Sequence, residues 1–368
     1  MKKLFSLLIL LLLLFVFISC SKEEINIGFS STLSGTTSEL GVESRNAILM
    51  YIDKLNEDGG INGRQVNLVI KDDKGTNDGA RKVIKEFKQE GVDIIIGFTT
   101  SNRVEVINEA IEDEKMLFMS PTISTTLLSK KDDYFFRVMS DLTSQGTTLS
   151  ELASEDRNIK AMAVIYDGKN AAYSNAIAET FKADFEKKGG EIVYKYKIEE
   201  DIPMTNLISN SILDSHAKGI LVIANSVDSA AIIQQIRKYD DESDIFIPGW
   251  AMTNDFINYG GKAVEGVYCS SVFEPESKTP RYLDFVKEYE RIYHKKPSFS
   301  ANFGYDSMIV LEDAISKKGT NIKAIKEQII KTRIFNGLQG EFILDEYGDA
   351  QGKVFKFQIK DSMYKKIE

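Results

Sequence analysis

Apolar and polar positions follow two different periodicities along this chain. After residue 24, short apolar runs such as INIGFSSTL (25–33) and VDIIIGF (92–98) are separated by longer segments, such as 39–60, whose apolar residues recur at helical spacing. Near-continuous apolar runs are typical of strands buried on both faces of a parallel sheet. The pattern therefore predicts an α/β fold in which helices cover both faces of a parallel sheet.

A second series of strands and helices follows YFFRVMSDLTSQG (134–146) and is long enough to form a sheet of its own. The chain has 368 residues, more than one hydrophobic core usually serves. Its tail returns through helices between 280 and 331 and two strands around an Asp/Gly-rich turn. We predict two doubly wound parallel-sheet lobes with these bounds: lobe I, 25–142 plus 273–346; lobe II, 143–272 plus 347–368. Chain crossings between the lobes are expected near 140–146, 271–278 and 345–352.

The first twenty residues, MKKLFSLLILLLLLFVFISC, have the basic start and apolar run of a secretory signal peptide. Cys20 stands where a small-residue cleavage site belongs and resembles the cysteine of a bacterial lipobox, which is acylated and becomes the mature N-terminus. Phe17 and Ile18 depart from the usual lipobox residues. The alternative is an uncleaved anchor helix, although the apolar run is short for a membrane span. Both interpretations predict an extracytoplasmic domain attached to a membrane.

Composition narrows the possible partners. The net charge of −9 argues against nucleic acid as a partner, because no lysine- or arginine-rich face is available to neutralise phosphates.

Cys269 is the only cysteine after Cys20, so the fold has no disulfide framework. It lies in an alternating, strand-like run and is most simply a small buried hydrophobe.

The sequence offers little support for an enzyme. Its two histidines, His216 and His294, lie away from the predicted strand-end loops, and no Cys/His cluster has the spacing of a metal site. There is no phosphate-binding GxxxxGK[ST] loop and no GxGxxG after the first strand. Serine and threonine are plentiful in the loops, but no histidine base accompanies them. We therefore expect no catalytic residues, no metal and no cofactor.

Hydroxyl side chains cluster after two consecutive strands. Thr99–Asn102 follows one, and Ser120–Thr125 follows the next. Ligands of open α/β sheets bind beyond the carboxyl ends of the strands, where such loops meet. Two interpretations compete: Ser101 or Asn102 caps the next helix, or both loops contribute hydroxyls and amides to a site for a small anion. Capping explains either residue alone but not the repetition.

These loops and other segments of the chain resemble the solute-binding proteins of branched-chain amino-acid transporters, which have the type I periplasmic-binding-protein fold. The resemblance covers nearly all of the mature chain, and its most specific segment is LNEDGGINGRQVNLVIKDDKGTNDGA (55–80). Other matching segments follow in the family's order: IGFSSTLSGTTSELGVESRNAI, GVDIIIGFTTS, MSPTIST, VIYDGKNAAYSNAIAETF, KAVEGVYCSSVF, FGYDSM and GLQGEFILDEYGD.

The resemblance implies roles for particular residues. Ser101, beside Thr100, would hold a ligand carboxylate, and Thr122 and Ser124 would contact the carboxylate and amine from the next loop. Tyr173 would close over the ligand from lobe II, or else pack at the start of a helix. Trp250 would stack on the ligand or pack in the core. Two further positions complete the predicted site: Asn225 and Asp306, the latter with a structural role as the alternative.

This sequence also departs from the family pattern. Leucine binders of the family use an acidic residue after the FIPG strand to pair the ligand amine, but no carboxylate follows Gly249 until Asp255. A second tyrosine is missing near Asn225, and a family disulfide is missing near Gly75 and Thr100. The carboxylate half of the site is therefore kept, and the amine half is altered.

The function implied by the resemblance is capture of a small amino acid or related carboxylate by closure of two hinged lobes. The chain, a monomer, would then deliver its ligand to the membrane permease of an ABC importer. Two alternatives are a lipoprotein that presents ligand to a membrane receptor and, from another class, an extracytoplasmic amide hydrolase. The missing histidine base argues against the hydrolase.

Overall fold

The computed structural model describes residues 23–35, 37–199, 215–240 and 242–367. The predicted signal peptide and its Cys20 lie outside the described residues. Within those ranges, no helix is both long enough and apolar enough to cross a membrane.

The first sheet, called lobe I together with its helices, has five parallel strands in the order β2-β1-β3-β4-β5. A short 3₁₀ turn over Ser101–Arg103 precedes α3. The elements in chain order are β1 (Ile25–Ser31), α1 (Glu39–Glu57), β2 (Val66–Asp72), α2 (Asn77–Gln89), β3 (Ile94–Gly97), α3 (Val104–Glu112), β4 (Leu117–Ser120) and β5 (Phe135–Arg137).

The second sheet, called lobe II together with its helices, repeats this order in the parallel strands β7-β6-β8-β9-β10. Its elements are α4 (Thr143–Glu151), β6 (Ala161–Asp167), α5 (Ala171–Lys187), β7 (Glu191–Ile198), β8 (Gly219–Ile223), α6 (Ser226–Ile236), β9 (Asp244–Pro248), α7 (Asn254–Gly260) and β10 (Tyr268–Ser271).

The tail contributes to both lobes. Three helices come first, and α9 packs against α1 of lobe I. A small antiparallel sheet of β11, β12 and β13 follows, and then two strands that extend the lobe II sheet beyond β10. These elements are α8 (Pro280–Tyr293), α9 (Phe299–Lys318), α10 (Ile322–Thr332), β11 (Ile334–Gly337), β12 (Gly340–Leu344), β13 (Ala350–Gln351), β14 (Phe355–Lys360) and β15 (Met363–Ile367).

Burial on both faces explains the continuous apolar strands. In β3, Ile94 and Ile96 pack in one apolar cluster, and Ile95 packs in another on the opposite face. Successive side chains of a strand point to opposite faces, so a strand covered by helices on both sides needs apolar residues at every position. The run IIIG therefore forms a buried parallel strand.

The chain passes between the lobes three times: after β5, after β10 and between β13 and β14. Ala350 of β13 packs in the lobe I core, whereas Phe357 of β14 packs in the lobe II core. The third crossing therefore lies between Gln351 and Phe355. The predicted fold of two doubly wound lobes with three crossings is confirmed, and the exact lobe bounds stay a prediction.

Candidate functional site

The two sheets share a strand order that places a crevice at one end of each. In the order 2-1-3-4-5, the direction of winding reverses between the first and third strands of the series. That point lies between β1 and β3 in lobe I and between β6 and β8 in lobe II. The loops that leave these strands meet between the lobes.

A small cavity lies where these loops meet, and we call it the inner cavity. In this arrangement of the lobes it holds about 10 Å³, room for roughly one water molecule, so the lobes would have to separate to admit a solute of amino-acid size. Lobe I lines it with Leu40, Thr99, Ser101, Thr122, Ser124, Met139 and Phe299, and lobe II with Asn170, Tyr173 and Trp250.

The loop after β3 brings its hydroxyls to the cavity through Gly97. This residue has φ +136°, and a Cβ there would lie 2.2 Å from the Ser30 carbonyl oxygen. Only glycine fits such an approach. Neither Ser101 nor Asn102 caps α3, since no side-chain hydrogen bond caps the 3₁₀ turn or the helix. Helix capping therefore does not explain the hydroxyl run.

The loop after β4 is tied to the loop after β3. Thr122 Oγ1 donates to the Thr99 carbonyl oxygen at 2.7 Å, and Ser120 Oγ donates to the Phe98 carbonyl oxygen at 2.9 Å. Ser124 Oγ is buried without a hydrogen-bond partner and faces the inner cavity. Buried hydroxyls are normally paired, so Ser124 has capacity for a ligand atom.

The lobe II wall is aromatic. The rings of Tyr173 and Trp250 lie 5.0 Å apart between centroids at 59°, and both side chains are buried. The Trp250 backbone N–H donates to the Tyr173 hydroxyl at 3.3 Å. Burial raises the pKa of Tyr173 well above its usual range, so the phenol stays protonated and can donate to a ligand. Both residues pack in one cluster with Leu40 and Phe299 of lobe I.

Asn170 is not among the predicted site residues, yet it lies in the site. It immediately precedes α5 and lines the inner cavity, with only 5% of its surface exposed. Its side chain does not cap the helix, and its Oδ1 is buried without a partner. An asparagine before a helix is read as a cap, so the sequence gives no signal that this oxygen is free for a ligand.

A wider cleft of about 190 Å³ adjoins the inner cavity, and we call it the outer cleft. Thr100 and Asn225 line it, and Leu40, Asn170 and Trp250 line both spaces. The Asn225 side chain caps α6: its Oδ1 accepts from the Asp228 N–H at 2.9 Å, and its Nδ2 donates to the Asp228 carboxylate at 2.7 Å.

The outer cleft also carries charged residues that were not predicted to belong to the site. The predicted strand-end loops are nearly free of cations, yet Arg103 and Lys169 line this cleft. So does Glu39, in the first turn of α1, whose carboxylate accepts from Ser226 Oγ of lobe II at 2.6 Å. Burial raises the pKa of Glu39 to about 7. Glycine at position 41 sets the approach of α1, because a Cβ there would lie 2.2 Å from the Thr32 carbonyl oxygen.

Asp306 does not line the inner cavity or the outer cleft. It lies in α9, where its carboxylate accepts from the Leu338 N–H and from Asn302 Nδ2, both at 2.9 Å. Burial raises the pKa of Asp306 to about 7. These contacts join α9 to the segment between β11 and β12, so the ligand contact expected for Asp306 is replaced by a structural role.

A buried ion pair lies where the resemblance located the absent disulfide. Arg103 Nε lies 3.4 Å from an Asp73 carboxylate oxygen, and each side chain is 1% exposed. Asp73 also accepts from Thr32 Oγ1 at 2.9 Å and from the Gly75 N–H at 2.8 Å. The pair thus connects the loops after β1, β2 and β3 at the edge of the outer cleft.

Other chemistry has little support in the described part of the chain. No group of three or more His, Cys, Asp or Glu side chains in it has a metal-binding arrangement. Cys269 is a free, buried thiol, and burial raises its pKa well above its ordinary value. It fits the predicted role of a small buried hydrophobe.

Comparison with known proteins identifies similar chains. The family described as periplasmic binding protein matches residues 24–363. The leucine-, isoleucine-, valine-, threonine- and alanine-binding protein of Pseudomonas aeruginosa is 22% identical over 93% of this chain and 90% of its own length.

Two solved structures have the same fold. The branched-chain amino-acid substrate-binding protein LivJ of Streptococcus pneumoniae, in complex with isoleucine, aligns with a TM-score of 0.85 at 22% identity, over 94% of this chain and 99% of that one. A solute-binding protein of Rhodopseudomonas palustris, in complex with 3,4-dihydroxybenzoic acid, aligns with a TM-score of 0.83 at 20% identity, over 94% and 96% of the two chains.

Proposed function

Because this chain belongs to the periplasmic binding protein family, we propose that it is the extracytoplasmic solute-binding protein of an ABC importer. It captures a small amino acid or related carboxylate between its lobes and delivers it to a membrane permease. The observation that carries this proposal is the inner cavity, which hydroxyls of lobe I and aromatic rings of lobe II enclose together.

The lobe I side of the cavity suits a carboxylate. Ser101 and Ser124 present hydroxyls beside the start of α3, where unpaired backbone amides favour a negative charge, and Thr122 lies beside them with its own hydroxyl donating to the Thr99 carbonyl oxygen. A carboxylate taken from water needs its oxygens hydrogen-bonded, or burial costs several kcal/mol. Tyr173 and Trp250 provide an apolar face for the remainder of a small solute.

Closure of the lobes over the ligand is the proposed mechanism. Hydrogen bonds already join the lobes, among them Asn102 Nδ2 to the Lys169 carbonyl oxygen at 3.2 Å, Ser226 Oγ to Glu39 at 2.6 Å, and Asn254 Nδ2 to the Lys296 carbonyl oxygen at 3.1 Å. A ligand that contacts both walls has higher affinity for the closed arrangement and therefore shifts the population towards it.

The proposal also includes attachment of the chain to a membrane and a small-molecule ligand. Acylation of Cys20 would attach the chain, as a monomer, to the membrane that holds the permease. The relatives support a small ligand: the Pseudomonas protein is named for binding five amino acids, and one solved structure holds an aromatic carboxylate. We propose binding without turnover, so the ligand should be released unchanged.

A ligand panel tests the proposal. Isothermal titration and thermal unfolding would be run with leucine, isoleucine, valine, alanine, 4-methylpentanoate and benzoate. We expect at least one micromolar ligand, equivalent to about −8 kcal/mol of binding free energy. At a hundredfold excess over the dissociation constant it should stabilise the fold by about 2.7 kcal/mol. If no amino acid or small carboxylate binds, the proposed ligand class is wrong.

A further inference from the structure

We propose that Glu39 is the counter-ion for a positively charged nitrogen on the ligand, with Asn170 Oδ1 as a second acceptor for the same group. The site would then select a carboxylate that carries an ammonium group over the same carboxylate without one. This inference rests on the proposed function and specifies its ligand class.

Position in the site is the first support. Glu39 lines the outer cleft, and the next residue, Leu40, lines both the cleft and the inner cavity. Asn170 and Trp250 line both spaces as well, so the cleft and the cavity adjoin at these three side chains. A ligand whose carboxylate lies among the hydroxyls of the inner cavity would extend its other polar group towards Glu39.

The electrostatic surroundings of Glu39 give the second support. Its hydrogen-bond partners are the neutral hydroxyls of Ser226 and Thr253, and the charges that act on it, Glu43 and Asp255, are both acidic. Arg103 and Lys169 line the same cleft, and Lys295 pairs with Glu43 at 2.7 Å. Across the described residues, no lysine or arginine pairs with Glu39. A partly buried carboxylate among like charges is stabilised by an added cation, which a ligand ammonium would supply.

Asn170 gives an independent observation from the other lobe. Its unpaired Oδ1 accepts hydrogen bonds but cannot donate, so it suits an ammonium and not a carboxylate. Glu39 and Asn170 belong to opposite lobes. A cation held by both would therefore favour the closed arrangement over the open one.

The same assignment supplies the negative charge that leucine binders of the family take from the loop after β9. In this chain the loop after β9 continues as Trp250 and Ala251, and Ala251 is fully buried. No acidic side chain is available there. The negative charge comes instead from α1 of lobe I, on the opposite side of the cleft.

Matched ligands test this inference without any variant. Leucine and 4-methylpentanoate differ only by the ammonium group, as do valine and 3-methylbutanoate. Titration of the full-length protein with both pairs should show about tenfold or greater preference for each amino acid. If the desamino acids bind as tightly as the amino acids, the inference is overturned while the proposed carboxylate-binding function stands. If neither series binds, both fall.

Substitution of the carboxylate then tests the residue. Glu39→Gln keeps the shape and the acceptor for Ser226, and it should weaken leucine binding about tenfold to a hundredfold while changing 4-methylpentanoate binding less than threefold. Glu57→Gln, the same change at the exposed far end of α1, is the matched control and should change neither affinity. Asn170→Ala should weaken leucine binding selectively in the same way. Equal losses for both ligands in Glu39→Gln would show a structural role and overturn the assignment.

Discussion

Removing one partner of the buried ion pair of Arg103 and Asp73 is predicted to destabilise lobe I strongly. The test substitution is Arg103→Met, which keeps much of the side-chain volume and removes the charge. It leaves the Asp73 carboxylate at 1% exposure without its cation. The variant also removes the donor to Asn77 Oδ1, at 2.9 Å from Arg103 Nη1.

The structure sets the expected size of the effect. Removing one partner of a buried ion pair typically costs about 3–5 kcal/mol, because the other charge stays buried and uncompensated. Asp73 retains its hydrogen bonds from Thr32 and Gly75, so we expect a loss near the lower limit, about 3 kcal/mol. A second change, Asp73→Asn, made in the Arg103→Met background should recover part of this loss by removing the uncompensated charge.

Urea unfolding followed by circular dichroism would measure the free energy of unfolding. The matched control is Arg81→Met, since Arg81 pairs with Glu105 and Glu109 at the surface, at 3.1 and 2.8 Å. Surface pairs contribute little, so the control should change the free energy of unfolding far less. A loss in Arg103→Met no larger than in Arg81→Met would refute the reasoning.

Two further predictions concern pH. The pKa of Asp306, raised to about 7 by burial, means that its stabilising contribution is full below pH 3.8 and is lost as pH rises through 7. Its share of the free energy of unfolding should fall by about 2.6 kcal/mol between pH 5 and 8, and urea titrations of Asp306→Asn should lack that fall. In the ligand-free protein burial likewise raises the pKa of Glu39 to about 7, and a cationic ligand favours the ionised form. Titration calorimetry should therefore show leucine affinity falling about tenfold or more from pH 8 to 5.5 in the parent protein but not in Glu39→Gln.

The fold was predictable because its signals are local and repeated. A buried parallel strand needs apolar residues on both faces, and the run at Ile94–Ile96 shows that requirement directly. The hydroxyls of Ser101, Thr122 and Ser124 were also recognisable, since they follow two consecutive strands and parallel strands end at one edge of a sheet. The structure brings these three together with Tyr173 in one cavity.

Contacts between distant segments were not predictable in this way. Glu39 reads as an ordinary first-turn acid of a helix, a common place for one, and only the approach of lobe II brings Ser226 to it. Asn170 reads as a cap, yet its oxygen is free. Asp306 matches a cleft residue of the family, but the segment between β11 and β12 covers it through Leu338. Ser226 and Leu338, the partners of Glu39 and Asp306, lie far from them in the sequence.

The central claim is that residues of both lobes bind one ligand in the inner cavity. A double-mutant cycle on leucine affinity, with Ser101→Ala in lobe I and Tyr173→Phe in lobe II, tests it most directly. Residues that share a ligand should be coupled, and we predict a coupling free energy of about 0.5 kcal/mol or more. Strictly additive losses would contradict the claim.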